Sequence, residues 1–537
     1  MAYADGYYIF DNDLNKILEA FKRNGVIYGL QVSAGGTGDR AVTIGAGAAR
    51  INGKIITKTS STNLNLPANT ESYPRKDIIV IDSSGNITSV QGAAEAADPS
   101  DKTGAYTKKP RPPNIPDNTI ILAEVWVEPN VTSFTSDDIT DRRVFTFLFN
   151  KVIYVEDYNA ATDKDTIQNA LNAVPDAGAI VVFPPRTFTG LEGLVIPKSN
   201  VLLVGCGAST ILKLKDSASN DLLLADSKSN IALFNLTFDG NKANQTETRK
   251  CVRFYGNGTL ENFRIQNCMF KNVQEAIRIA PSTTSDLMKH IFILNNLFLE
   301  LTDPAAIIFG DWDDTNNRFT VQNITIQGNQ VYANATSSDN GGKFGVRCGE
   351  NVIIRDNILV KCTYGIAARA ARNHVVENNL IIDCQAGNSG AIYYTPDNAT
   401  YLENIHIINN KIFGCGYHGI YITTTTGLTV NRIIIEKNKI HNCSQTAIQL
   451  ASGLPADQIH IFDNVLDSVN DISAPSGSRI WGNKVWSGLP AYKEQSDWTL
   501  PSESAFNGDM VVIKNTSTGA SRLYVRSGGE WKYVDLT

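Results

Sequence analysis

The chain has 537 residues, 42% of them hydrophobic, and a formal net charge of −6 at pH 7. This length predicts several domains, and the negative charge argues against a nucleic-acid-binding surface. The sequence contains no run of about 18 apolar residues, the length that is needed to cross a membrane. The first ten residues, MAYADGYYIF, lack the basic and apolar regions of a signal peptide. We therefore expect a soluble protein that neither inserts into a membrane nor is exported by its own signal peptide.

Residues 1–150 form the first predicted module. An amphipathic helix is expected at 11–23, and apolar runs predict strands at 41–44, 77–81 and 119–127. The module is therefore expected to mix helix and strand.

Residues 151–200 contain a second helical pattern. Its apolar stripe consists of Ile167, Ala170, Leu171 and Val174, and we expect Asp165 or Thr166 to be its N-cap. We predict that this helix covers the open end of the repeats that follow, because an uncovered end exposes core and unpaired strand edges.

Residues 201–488 repeat one local frame: an aliphatic residue, two free positions, Asn, one free position and another aliphatic residue. The frame recurs every 19 to 33 residues, so each unit is predicted to be one coil of a solenoid. We interpret each Asn as a corner residue that tolerates a left-handed backbone and passes hydrogen bonds from coil to coil. The asparagines are Asn296, Asn329, Asn357, Asn379, Asn410, Asn438, Asn464 and Asn483.

Four cysteines follow four of these asparagines by five residues: Cys362, Cys384, Cys415 and Cys443. Because no CxxC pair occurs, we interpret them as small apolar core residues rather than metal ligands. Residues 489–537, with Trp498, Trp531 and an Asn-Gly turn at Asn507, are predicted to form a small β module.

The passage from Asp163 to Leu212 contains DKDTIQNALNAVP, VVFPPRTF and NVLLVGCGASTIL. It resembles the entry to a pectate-lyase-like right-handed β-helix, a family of polysaccharide lyases, glycosidases, epimerases and viral tail spikes. The resemblance implies an all-β protein whose right-handed parallel β-helix lies between a mixed α/β module and a terminal β module. Because Cys206, Leu236 and Cys268 take the place of the asparagine in earlier coils, the repeats predict about 10–11 coils. The resemblance specifies fold better than chemistry.

The first module resembles attachment domains of tail-fibre and baseplate proteins of tailed viruses. The resemblance rests on GVIYGLQV, AARINGKII, PRKDIIVIDSSGNI, PPNIPDNTIILAEVWV and DITDRR, and RLYVRSGGEWKYVDL at 522–536 resembles terminal modules of fibre proteins. It implies a homotrimeric spike or receptor-binding fibre that is made in the host cytoplasm and becomes part of the virion tail. Residues 1–150 would bind other tail or baseplate proteins.

The strand before each corner has a predicted outward column with four apolar members, which is unusual for a solvated face. We interpret it as a contact with a neighbouring copy, and coverage by loops of the same chain is the alternative. The column is Arg264, Phe292, Thr325, Ile353, Val375, His406, Ile434 and His460.

The strand that begins with Gly or Ala after each corner predicts a second outward column: Arg278, Ile308, Arg347, Ala367, Tyr393, Tyr421 and Gln449. Arginines bind carboxylates or phosphates and tyrosines contact sugar rings. The column thus predicts a groove for an anionic glycan, and an ordinary mixed surface is the alternative.

The same register places Asp311 and Glu350 on adjacent coils, with Trp312 as a sugar platform. A separation of about 5 Å would suit the acid and nucleophile of a retaining glycosidase. A lyase would instead use a base with Arg347 neutralising a uronate, and Asp311, Asp313 and Glu350 could bind calcium. A solvated turn is the remaining alternative, and no cofactor other than this calcium is expected.

The resulting functional hypothesis is a tail spike or fibre that attaches to a host surface polysaccharide. Whether it also degrades that polysaccharide, as a hydrolase or lyase, stays open, as does a purely structural or non-catalytic receptor-binding fibre. A free-standing polysaccharide lyase or epimerase is disfavoured by the attachment-like first module.

Overall fold

The computed structural model describes residues 24–35, 40–96, 110–146, 151–283, 285–301, 305–310, 319–333, 343–384, 389–396, 401–485, 492–495, 510–515, 521–527 and 530–535. The chain divides into two compact units, Met1–Asn150 and Lys151–Thr537. Within the described ranges, no helix is both long and apolar enough to cross a membrane. The predicted helix at 11–23 lies outside them.

The described residues of the first unit form three antiparallel sheets, with strand orders β1-β4-β5, β2-β3-β6 and β10-β9-β7-β8. The predicted strands correspond to β3, to part of β7 and to β9. A turn of 3-10 helix covers Ser136–Asp138. The strands are β1 (Gly25–Gly29), β2 (Val32–Ala34), β3 (Ala41–Ile44), β4 (Gly47–Ile51), β5 (Lys54–Lys58), β6 (Thr62–Asn65), β7 (Arg75–Asp82), β8 (Ile87–Val90), β9 (Thr119–Val127) and β10 (Ile139–Asp141).

The second unit begins with helix α1 (Asp163–Asn172). Its N-cap is Thr162, whose hydroxyl accepts a hydrogen bond from the backbone N–H of Asp165. The predicted caps Asp165 and Thr166 are therefore wrong by about one turn, because both already lie inside the helix. The apolar stripe is confirmed, since all four residues are buried in the core of this unit.

Helix α1 packs on strands β13 (Thr187–Leu191) and β14 (Leu194–Val195), at the start of the repeats. Gln168 of the helix donates to the backbone oxygen of Val195 and accepts from its N–H, at 3.0 and 2.9 Å. A side chain thus satisfies a strand edge that would otherwise lack a partner, which is what a cap must do.

The repeats form a parallel β-helix with three faces. Strands before each asparagine form face A, strands directly after it form face B, and the next strands along the chain form face C. Each strand pairs in parallel with the equivalent strand one coil later. The predicted solenoid and its strand content are confirmed, and its interior is one continuous apolar core.

Face A contains β11 (Val152–Tyr154), β12 (Ala179–Val182), β15 (Val201–Val204), β18 (Ile231–Phe234), β21 (Thr259–Gln266), β24 (Leu287–Leu294), β27 (Val321–Gln327), the second halves of β29 (Phe344–Arg355) and β31 (Ile366–Glu377), β34 (Tyr401–Ile408), β37 (Thr429–Glu436), β39 (Ile459–Phe462) and β41 (Arg479–Trp481). Face B contains β13 (Thr187–Leu191), β16 (Ile211–Leu214), β19 (Thr237–Asp239), β22 (Met269–Lys271), β25 (Leu297–Leu301), β28 (Gln330–Ala333), β30 (Ile358–Val360), β32 (Leu380–Cys384), β35 (Lys411–Cys415), the first halves of β38 (Lys439–Leu450) and β40 (Val465–Ser473), and β42 (Lys484–Val485). Face C contains β14 (Leu194–Val195), β17 (Leu223–Asp226), β20 (Lys250–Gly256), β23 (Glu275–Pro281), β26 (Ala305–Phe309), the first halves of β29 and β31, β33 (Gly390–Tyr394), β36 (His418–Ile422) and the second halves of β38 and β40.

Short 3-10 turns cover Val155–Tyr158, Gly207–Ser209, Lys242–Asn244 and Ala456–Gln458. A separate four-stranded sheet follows the repeats, with strands β43 (Tyr492–Gln495), β44 (Met510–Asn515), β45 (Ser521–Ser527) and β46 (Glu530–Asp535). Trp531 lies in β46, whereas Trp498 and Asn507 lie outside the described residues.

The corner between faces A and B holds the predicted asparagine column. From Asn329 to Asn483, each Oδ1 accepts the backbone N–H and the side-chain N–H of the asparagine one coil earlier, at 2.9–3.1 Å. Seven of the eight side chains, those from Asn296 to Asn464, are at most 1% exposed. The column therefore joins neighbouring coils by buried amide hydrogen bonds.

The left-handed residue at this corner is not the column asparagine. It is the residue just before it, for example Asn295, Asp356 or Lys437, with φ of 54°, 56° and 55°. None of the eight column asparagines, all within the described part of the chain, has a positive φ. The asparagine is thus selected for its amide hydrogen bonds, and our interpretation of it as the left-handed residue is wrong.

The cysteine column lies inside the solenoid at the end of face B. Cys384, Cys415 and Cys443 occupy the same register position on successive coils. All three, like Cys362, are free thiols that are at most 4% exposed. Burial among apolar neighbours raises the pKa of Cys362 well above its usual range. These cysteines are core residues, as predicted.

Candidate functional site

The outward column of face C differs from the predicted one at a single coil. Ile308 pairs with Gly345, and Gly345 pairs with Ala367. The predicted member Arg347 is therefore wrong by two residues. A shift of two residues keeps every side chain on the same side of a strand, so the alternation of apolar residues did not reveal it.

The rest of the column agrees with the prediction. Arg278 pairs with Ile308, Ala367 with Tyr393, and Tyr393 with Tyr421. One coil earlier, Arg253 pairs with Arg278 and lies 4.6 Å over the ring of Tyr255. The cationic end of the column is thus one coil longer than predicted.

A cavity of about 240 Å³ lies on face C around Gly345. Its floor contains Gly345 and Ala367, the two smallest residues of the outward column. A Cβ atom added at Gly345 would meet its nearest atoms at 3.6 and 3.7 Å, which is ordinary contact distance. The cavity therefore arises because two successive coils lack a large outward side chain.

Cationic and aromatic side chains line this cavity. Arg278, Lys343, Arg347 and Arg369 contribute the cations, and Tyr364 and Tyr393 contribute the rings. The structure thus brings together three of the predicted ligand-binding residues, Arg278, Arg347 and Tyr393, although Arg347 enters from a different position on its strand.

The arginines at the two ends of the cavity have different neighbours in the fold. The guanidinium of Arg278 is held by the carboxylate of Glu275 through contacts of 2.6 and 3.2 Å. Arg347 pairs with Arg369 one coil later, and its side chain is largely buried. Two guanidinium groups are thereby placed on adjacent coils of the same face.

Three tyrosines stack along the coils beside the cavity. The ring centroids are 5.9 Å apart for Tyr364 and Tyr393 and 5.5 Å apart for Tyr393 and Tyr421, with interplanar angles of 18° and 26°. Because Tyr393 has a ring against each face, it offers its edge and hydroxyl to a ligand rather than a flat platform. Lys343 lies 5.3 Å from the centroid of Tyr364.

The predicted catalytic residue Glu350 occupies the start of face A. It pairs with Gln322 and Arg372 on the neighbouring coils. Its carboxylate accepts a 2.7 Å hydrogen bond from Gln322 and lies 3.6 Å from the guanidinium of Arg372. Arg372 also donates a 2.6 Å bond to Glu403. Glu350 is therefore part of a row of ion pairs.

The predicted partner Asp311 lies outside the described residues, as do Trp312 and Asp313. The predicted equivalence of Asp311 with Glu350 assumed that Phe309 aligns with Cys348, whereas Phe309 pairs with Val346. No group of three His, Cys, Asp or Glu side chains within the described ranges could hold a metal ion. The catalytic pair and the calcium alternative stay predictions.

The outward column of face A follows the predicted register from Arg264 to His460. Ile353 is 36% exposed, and Phe292, Val375 and Ile434 are partly exposed. The apolar members thus face outward, as predicted.

A family model described as the right-handed β-helix region matches residues 199–432 and 313–484, together more than half of the chain. The chain belongs to this right-handed β-helix family. The predicted handedness of the coils is confirmed by this match. No curated protein matches the chain.

Several solved structures are similar to this β-helix. The A-module of the mannuronan C-5 epimerase AlgE6 of Azotobacter vinelandii is 17% identical, with a TM-score of 0.41 over 63% of this chain and 100% of that one. An exopolygalacturonase of Thermotoga maritima is 14% identical, with a TM-score of 0.45 over 72% and 95%. The ORF18 protein of Geobacillus virus E2 is 14% identical, with a TM-score of 0.31 over 71% and 68%. These values are too low to transfer an activity to this chain.

Proposed function

We propose that this protein is a tail spike or tail fibre of a tailed virus and that face C binds a polysaccharide of the host cell surface. The observation that carries the proposal is the cavity on face C, where four cationic side chains and two stacked tyrosines converge. Concave sites with a few convergent polar groups are the usual form of a ligand site.

The arrangement of the contacts supports a polymer as the ligand. The outward column from Arg253 to Tyr421 offers one outward position per coil over six intervals, or roughly 29 Å at the usual strand spacing, with arginines at one end and tyrosines at the other. Contacts repeated along a line suit an extended chain of sugars, whereas a small metabolite would use only one of them.

The location on the virion is supported by the first module. Its attachment-like motifs include strands β1, β4, β7 and β9, which belong to sheets that contain no strand of the β-helix. In this proposal residues 1–150 bind other tail or baseplate proteins, and the β-helix is exposed outside the host cell after assembly.

We also propose that the protein is a homotrimer in which face A contacts a neighbouring copy. Phe292, Ile353, Val375 and Ile434 form a partly exposed apolar row, and burying such a row in an interface would be favourable. Measuring the mass of the purified protein in solution checks this, because a monomer would contradict it.

Degradation of the polysaccharide by Asp311 and Glu350 is the alternative that the cavity alone does not favour. The ion pairs around Glu350 offer a structural role for that residue. Incubation with the polysaccharide decides: new reducing ends or unsaturated sugars that disappear in Asp311→Asn and Glu350→Gln would establish catalysis. Products that persist in both variants would show that these residues are not the catalytic pair.

Calorimetric titration with purified host surface polysaccharide tests the binding proposal. We expect Tyr421→Ala to weaken binding by about tenfold, since an aromatic contact is worth on the order of 1 kcal/mol or more. Tyr332→Ala is the matched control, because Tyr332 is an outward tyrosine of face B. Equal affinity of wild type and Tyr421→Ala would contradict the proposed site.

A further inference from the structure

The shape of the cavity limits which part of a polysaccharide can enter it. Along the coils, the outward column rises from Gly345 and Ala367 to Ile308 and Arg278 on one side and to Tyr393 on the other. Large side chains therefore close both ends of the depression. An unbranched chain lying along face C would pass over these ends rather than descend into the cavity.

The cavity is also bounded across the strands. Lys343 and Tyr364 lie just before the face C strands, and Arg347 and Arg369 lie at their far ends. A depression bounded on four sides accepts a group that projects towards the surface. At about 240 Å³ it is smaller than the usual range for drug-sized ligands, and it suits a single sugar ring.

The side chains on those walls indicate the charge of that sugar. Arg347 and Arg369 are in register on adjacent coils, and both line the cavity. An anionic group beside both guanidinium groups accepts charge-assisted hydrogen bonds from them. Lys343, on the opposite wall, adds a third cation.

Resting on the proposed function, we infer that this cavity is a subsite for one acidic sugar that projects from the polysaccharide, as a branch or as a chain end. Lys343, Arg347 and Arg369 determine the charge that is accepted, and Gly345 and Ala367 provide the depth. The hydroxyl and ring edge of Tyr393 contact the sugar at the end of the cavity.

Binding of defined sugars to the full-length protein, measured by NMR titration, tests this inference. The probes are glucuronate and N-acetylneuraminate as carboxylates, glucose 6-sulfate as a sulfate ester, glucose as the neutral sugar and polygalacturonate as a linear acidic chain. We expect at least one acidic monosaccharide to bind about tenfold more tightly than glucose. The tighter of the carboxylate and sulfate probes identifies the source of the charge.

Two variants separate shape from charge. Gly345→Leu fills the cavity from its floor, where a side chain has room, and we expect it to abolish binding of the acidic monosaccharide. Arg369→Gln removes one cation without filling the cavity, and we expect about a tenfold loss. Arg355→Gln is the matched control, because Arg355 lies on face A beside Glu377.

Two outcomes would overturn the inference directly: glucose binding as tightly as the acidic sugars, or Gly345→Leu binding them as wild type does. Loss of polygalacturonate binding in Gly345→Leu would overturn it as well, because an unbranched chain should not enter the cavity. Each leaves the proposed function standing if host polysaccharide still binds through Tyr421. If neither Tyr421→Ala nor Gly345→Leu weakens binding of the host polysaccharide, the proposed function is overturned as well.

Discussion

The asparagine corner and face C belong to the same coils and differ in what they preserve. At the corner one residue type repeats with the same buried hydrogen bonds in coil after coil. On face C the outward position changes from Arg278 to Gly345 to Tyr393 along the column. The corner holds the coils in register, so the surface of face C is free to vary and to recognise a ligand.

Removing one column asparagine tests the first half of this comparison most severely. Asn379→Ala deletes an oxygen that accepts two hydrogen bonds from Asn357, at 3.1 and 2.9 Å, and a nitrogen that donates to Ile354 and Asn410. We expect a loss of about 3 kcal/mol in the free energy of unfolding, because buried amide groups are left without partners. Urea unfolding measures it.

The control for this variant is Asn431→Ala, which replaces an exposed asparagine of face A. We expect a change within about 0.5 kcal/mol. If the two variants were equally stable, the corner would not be the source of stability.

Acid should destabilise the β-helix through its buried histidines. Burial lowers the pKa of His374 from 6.5 to about 4, so between these values the unfolded chain binds a proton that the folded chain does not. The contribution of neutral His374 to the free energy of unfolding is complete above pH 6.5 and is lost as the pH falls towards 4. The full loss is about 3 kcal/mol.

Urea unfolding at about pH 7 and about pH 5 measures this loss. In His374→Gln the difference between the two pH values should shrink. Part of it should remain, because burial also lowers the pKa of His441 to about 4. An unchanged difference in the variant would show that His374 does not contribute to acid sensitivity.

Two glycines of strand β29 give the sharpest contrast between core and face. A Cβ atom at Gly349 would lie 2.5 Å from Cγ1 of Val346 and 3.2 Å from Nε2 of His374, whereas one at Gly345 meets nothing closer than 3.6 Å. We expect Gly349→Ala to cost about 2 kcal/mol through overpacking, and Gly345→Ala to cost less than about 0.5 kcal/mol. Thermal unfolding compares them, and equal costs would contradict the assigned orientation of this strand.

The sequence predicted face A and the corner because the asparagine follows each face A strand at a fixed distance. The register from Arg264 to His460 was therefore correct. Face C is separated from the corner by segments of variable length, such as residues 334–342. The error of two residues at Gly345 arose there, and the apolar alternation could not correct it.

The composition of the cavity was only partly predictable. Arg278, Arg347 and Tyr393 were found because they alternate outward along strands. Tyr364, Lys343 and Arg369 were missed because they lie beside the column, and only the stacking of coils brings them next to it. The arrangement of the tyrosines edge-on to the surface also depends on that stacking, since it follows from ring distances between coils.

A crystal structure with a bound oligosaccharide of the host surface polysaccharide tests the central claim most directly. The account predicts a sugar ring above Gly345, with its anionic group beside Arg347 and Arg369 and the chain continuing past Tyr393 and Tyr421. Oligosaccharide density confined to face A or face B, with the cavity empty, would contradict it.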